Sequence, residues 1–153
     1  MTDSRPRKYA LLGNLIHFHA FSSETNGKYC IVECKSTPGA GAPPNHHATE
    51  EESFLVLEGS FEFMIDGDTR RVGVGDFVRI PTGSLHAFSA VGESPGRLLI
   101  VNAPGRMHDE FFSRAGEAVP DETTDIPQAQ GEPDLPRILA IAAEAGMTIV
   151  PPR

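Results

Sequence analysis

No stretch of this chain approaches the roughly 18 consecutive apolar residues that a membrane-spanning helix needs. Basic residues are outnumbered, 13 Lys and Arg against 21 Asp and Glu, and the net charge of −8 argues against a nucleic-acid surface or an anionic lipid surface. Cysteine is scarce. Cys30 and Cys34 on one strand would face the same side about 13 Å apart, at roughly 3.3 Å per residue, too far for a disulfide. A buried free thiol is the expectation for each. Arg5, Arg7 and Lys8 have no apolar core of signal-peptide type behind them, so a cytoplasmic location is expected.

What is present reads as one domain with a β-rich middle. Lys28 to Cys34 alternates and is rich in β-formers. Phe54-Leu55-Val56-Leu57 is apolar on both faces, as in a central strand. Phe61 to Ile65 alternates, Asp66-Gly67 supplies a hairpin turn, and Thr69 to Val72 returns. Phe77 to Ile80, Leu85 to Phe88 and Leu98 to Val101 complete the series, which suggests an antiparallel barrel or sandwich. Two helices are expected later, Met107 to Ala115 and Asp134 to Ala145. The second has Asp134 as N-cap, Pro136 in its first turn and Gly146 as its stop. Between them, Glu117 to Asp134 carries six carboxylates and no Lys or Arg, the pattern of a solvated linker. The expected organisation is a segment at 1–10, a barrel at 11–104 and a helical extension with an acidic linker at 105–153.

The chemistry-bearing residues cluster in "APPNHHATEEESF". On a strand, Asn45 and His47 share a face and His46 points away unless a bulge turns it inward. A turn through Ala48 to Glu51 lets Glu52 start the next strand beside them. His86 closes "GDFVRIPTGSLHAF". Imidazoles and a carboxylate converging from separate strands suit a first-row transition metal. Elsewhere, His17 and His19 share a strand face, but no carboxylate follows at ligand spacing, so an ordinary strand near the rim is expected. His108 is expected to be solvated at a helix start, and Glu50 and Glu51 to line a loop surface. Phe54, Val56, Phe63, Met64, Phe77 and Phe88 supply apolar core or cavity walls.

These two stretches resemble the paired motifs of the cupin superfamily. The first reads Gly39 or Gly41, Asn45-His46-His47, four residues, Glu52, six residues, Gly59; the second reads Gly75, five residues, Pro81-Thr82-Gly83, two residues, His86. With "ETNGKYCIVE", "APGRMHDEFFSRAG" and "AAEAGMTIVPP", the likeness runs roughly from Leu11 to Pro152 and is nearest to single-domain, quercetin-dioxygenase-like cupins. The resemblance implies an all-β fold, a jelly-roll β-barrel of six to eight strands with short C-terminal helices. It implies a divalent transition metal (Fe, Mn, Ni, Zn or Cu) held by His47, Glu52 and His86.

The sequence departs from the family pattern at two positions. Asn45 stands where the first histidine is usual, and Ala90 where Asn is frequent. An amide oxygen is a weaker donor than imidazole for these metals. Either His47, Glu52 and His86 form a two-histidine, one-carboxylate triad with Asn45 as weak fourth ligand or donor to bound water, or the metal is lost and the same groups bind an organic ligand. The expected activity is oxygenase chemistry on a small apolar or aromatic molecule, with Glu52 as ligand and base. A non-catalytic binding barrel and a sugar isomerase or epimerase are the alternatives. A homodimer joined through an exposed N-terminal edge is expected, with no nucleic-acid or membrane partner.

Overall fold

The computed structural model describes residues 2–151, so Pro152, where the resemblance ends, lies outside the described residues. Twelve strands are formed among them: β1 (Lys8–Leu11), β2 (Asn14–Ala20), β3 (Cys30–Ser36), β4 (Gly41–His47), β5 (Glu51–Glu58), β6 (Ser60–Ile65), β7 (Asp68–Gly73), β8 (Phe77–Ile80), β9 (His86–Val91), β10 (Gly96–Ala103), β11 (Glu117–Val119) and β12 (Met147–Ile149). Helix α1 is Arg106–Ala115 and α2 is Leu135–Ala145. A seven-stranded sheet has the order β11-β1-β2-β3-β10-β5-β8, and a five-stranded sheet the order β12-β4-β9-β6-β7. The ladders stay within each sheet, so the expected barrel is a jelly-roll sandwich rather than a closed cylinder.

Side-chain alternation on facing strands fills the space between the sheets. Leu98, Ile100 and Asn102 of β10, Phe54 and Val56 of β5, Phe61 and Phe63 of β6, and Phe88 and Ala90 of β9 all point inward and are buried. Phe54, Phe63 and Phe88 meet at ring-centroid separations of 4.9 to 5.4 Å, mostly edge to face. This parity also sets the site. The row that buries Phe54 and Val56 begins with Glu52, and the row that buries Phe88 and Ala90 begins with His86. One end of the interior is therefore aromatic and the other polar. Phe77 departs from the expected walls: it is 60% exposed, and Met64 is only partly buried.

The hairpin at Asp66-Gly67 forms with positive φ at both residues (49° and 91°), as a primed turn between right-twisted strands requires. Helix α2 starts and stops as its sequence signals: the Asp134 carboxylate accepts from the Arg137 amide and Gly146 ends it at φ 112°. Three short strands were not legible. β1 straddles residue 10 and lies between β11 and β2, so it is no edge, and the premise of an exposed N-terminal edge for dimerisation fails. β11 opens the acidic segment and pairs with β1, while Lys8 and Lys35 donate to the carbonyls of Thr123 and Thr124 further along it. β12 pairs with β4, setting Met147 opposite His47 and Ile149 opposite Asn45.

Candidate metal centre

Three strands deliver the polar end of the interior. The ladder between β4 and β9 is irregular between Ala42 and Asn45, yet Asn45 and His47 remain buried and His46 stays outside. The bulge does not bring His46 in. Asn45 pairs in register with His86, and Glu52 arrives from the opposite sheet. One donor atom each of His47, Glu52 and His86 lies within 4.8 Å of the other two, and all three residues are buried. Glu52 Oε1 is 3.0 Å from His86 Nε2 and 3.5 Å from His47 Nε2.

The backbone fixes which ring nitrogens are free. His47 Nδ1 donates to the Glu50 carbonyl at 3.1 Å, and His86 Nδ1 donates to the Ser84 carbonyl at 2.8 Å. A carbonyl only accepts, so each ring carries a proton on Nδ1 and turns its Nε2 toward Glu52. His47 Nε2 is buried without a hydrogen-bond partner. His86 Nε2 lies within hydrogen-bond distance of Glu52 Oε1, and with each ring protonated on Nδ1 alone the two Nε2 lone pairs and the carboxylate would be three acceptors that a cation between them brings together. The residues present fit a divalent transition metal. Asn45 contributes differently from the imidazole it replaces: its Nδ2 donates to the carbonyls of Pro43 (2.9 Å) and His86 (3.3 Å), which leaves Oδ1 as the atom it can offer.

Two residues expected at the surface belong to this interior. Glu50 is 2% exposed, whereas Glu51 is exposed as expected. Glu50 Oε2 accepts from the amides of Gly105 and Met107, both at 2.9 Å, at the start of α1. His108, on that helix, is also 2% exposed and spans two carboxylates, with Nδ1 2.6 Å from Glu50 Oε1 and Nε2 3.2 Å from Glu52 Oε2. Burial alone would lower the His108 pKa, but Glu52 and Glu50 outweigh it and push it up to about 9. Burial likewise opposes ionisation of Glu52, and the charge on His108 overrides it, holding that carboxyl well below the usual range. Sequence reasoning missed both residues because the helix start looks polar. The one available signal was the even spacing of Glu50 and Glu52, which gives them one face if the strand is extended backward.

A cavity of about 60 Å³ adjoins the site. Phe88 and Ile100 line it from the sheets, Phe111 and Phe112 from α1, and Met147 and Ile149 from β12. Among the described residues no Lys or Arg lines it. Cys34 borders it, and burial pushes that thiol up to about 12; Cys30 is buried and raised as well, so both are the inert free thiols expected. His17 and His19 do find a carboxylate, Glu33, from the neighbouring strand rather than along their own. That group lies on the outer sheet face, where Arg97 Nη1 already sits 3.1 Å from Glu33 Oε1.

Comparison with known proteins agrees with this geometry. Residues 32–102 match the model of the cupin domain family. Quercetin 2,3-dioxygenase of Bacillus subtilis (strain 168) is 25% identical over 108 residues, 70% of this chain. The chain spans 32% of that enzyme's own length and 20% of the second curated relative it matches, the mannose-1-phosphate guanylyltransferase of Escherichia coli (strain K12). Among solved structures, a predicted oxalate decarboxylase from Thermotoga maritima superposes with a TM-score of 0.59 at 18% identity, covering 65% of this chain and 91% of that one. An RmlC-like cupin from Shewanella frigidimarina NCIMB 400 gives 0.57 at 20% identity, over 69% and 90%. At these identities the superpositions speak for the fold alone. Motif spacing, sheet order and the family match converge on a cupin domain at residues 32–102.

Proposed function

We propose that this cupin is a divalent-metal-dependent enzyme acting on a small, uncharged, largely apolar molecule, with oxygenase chemistry as its reaction class. The observation that carries this reading is the set of three buried residues, His47, His86 and Glu52, each with a ligand atom within 4.8 Å of the other two, His47 Nε2 having no hydrogen-bond partner. Two imidazoles and one carboxylate are the donor set of non-haem iron oxygenases. A bound metal of that kind supplies open positions for substrate or dioxygen. Asn45 Oδ1 is a weak fourth donor, and Glu52, with two oxygens in different surroundings, serves as ligand and as proton acceptor.

The cavity narrows the substrate. No Lys or Arg lines the cavity and His108 is already committed to Glu50 and Glu52, so beyond the metal a sugar phosphate or dicarboxylate finds no free cationic partner once desolvated. A volume of about 60 Å³ is far below the roughly 300 Å³ of ordinary drug-sized sites, so a flavonoid does not fit unless the α1 side opens. A binding module without catalysis is the second reading, favoured by the missing imidazole at position 45.

The test loads chelator-stripped protein with Fe(II) and follows dioxygen uptake with phenol and catechol as small aromatic probes. Uptake with a probe and none with sugar phosphates supports the reading. Stoichiometric metal with no uptake for any probe favours the binding module, and no metal at all overturns the metal-dependent function.

A further inference from the structure

His108 lies on α1, beyond both strand motifs, and still reaches Glu52. Both of its ring nitrogens are committed to carboxylate oxygens, Nδ1 to Glu50 and Nε2 to Glu52 Oε2, so it has no lone pair to give a metal. It acts on the opposite side of Glu52 from His47 and His86, which approach Oε1. The ring of His47 stands perpendicular to both other imidazoles, at centroid distances of 5.1 Å to His86 and 5.0 Å to His108.

We propose that His108 is a positioning residue that substitutes for the organising role of the imidazole absent at position 45: it clamps Glu52 through Oε2 and so presents Oε1 alone to the metal. The inference rests on the metal reading above. Glu50 makes the clamp rigid by joining three parts. Its backbone carbonyl orients His47, its Oε1 orients His108, and its Oε2 holds the first amides of α1. Carboxylate–histidine pairs behind a metal ligand set ligand direction, and losing one weakens metal binding about 10- to 100-fold. In most such pairs the histidine is the ligand and the carboxylate stands behind it. Here the order is reversed, with the carboxylate facing the metal and the histidine behind. Seating of α1 is thereby a condition for a well-formed site.

The test titrates Zn²⁺ into chelator-stripped protein by calorimetry, in a His17→Ala/His19→Ala background that removes the outer-face imidazoles. His108→Leu is expected to weaken binding about 10- to 100-fold with an unchanged circular-dichroism spectrum. His108→Gln, which keeps one N–H donor for Glu52, is expected to recover part of the loss. Equal affinity in His108→Leu and its parent overturns the proposal. Pulsed electron paramagnetic resonance of the Cu²⁺-loaded parent is expected to count two coordinated imidazoles; three would make His108 a ligand and also overturn it. If the parent binds neither ion, the metal-dependent function falls. The clamp is then judged by the melting temperatures of His108→Gln, Glu52→Gln and the double variant in metal-free protein: non-additive shifts support it, and additive shifts overturn it.

Discussion

Replacing Glu50 and Glu51 separately by alanine perturbs two adjacent carboxylates in opposite surroundings. Glu50 is 2% exposed and accepts from two amides at 2.9 Å and from His108 at 2.6 Å. Its loss strands two amides at the start of α1, at about 1–3 kcal/mol for each one left without an acceptor. It also removes one partner of a buried ion pair, a change that costs about 3–5 kcal/mol. These losses overlap, since His108 keeps Glu52, and about 4 kcal/mol is the expected total. Glu51 pairs with Arg79 at 2.7 Å, with side chains 53% and 64% exposed, and its removal is expected to cost under about 1 kcal/mol. In a domain of this size roughly 3 °C of melting temperature goes with each kcal/mol, so Glu50→Ala should melt about 10–15 °C below the parent and Glu51→Ala within about 3 °C of it. Thermal and urea unfolding in the presence of chelator measure both. Equal losses at the two positions, or a loss below about 1 kcal/mol at Glu50, would refute the claim that Glu50 anchors α1.

Asn45→His, which restores an imidazole beside His86, is expected to raise metal content in protein purified without chelator. Elemental analysis reads it, and an unchanged near-zero content counts against the site. Glu52→Gln and His86→Ala are each expected to abolish bound metal, and survival of occupancy in either means the ligands are misassigned. Glu24, hydrogen-bonded to Arg7, has its pKa lowered from 4.5 to about 2. Its folded value lies below the unfolded one, so its contribution is complete above pH 4.5 and disappears as pH falls toward 2. Acid unfolding of Glu24→Gln should accordingly lose pH dependence in that window, and a curve parallel to the parent's would contradict the assignment.

The alternation rule exposed what depends on residues two apart. It placed Asn45 and His47 on one face, put Glu52 at the head of the next strand and kept His86 at the head of β9, and each lies where parity demands. Turn and capping residues marked the hairpin at Asp66-Gly67 and the ends of α2 in the same way. Contacts made across the fold were not legible. Nothing local in "GRMHDE" tells His108 that a carboxylate from residue 50 awaits it, because the partner arrives only after the sheets have packed. β1, β11 and β12 are too short for periodicity to register, at three or four residues each, and owe their form to the strands beside them. Phe77 was misjudged because β8 is an edge strand whose alternate side chains meet solvent instead of a second layer.

The pairing of β12 with β4 bears on the order in which the molecule is made. Strand β4 emerges from the ribosome about a hundred residues before β12, so the side of it that faces away from β9 waits open while the intervening residues are synthesised. A metal captured before residues 147–149 are in place would meet a half-built cleft.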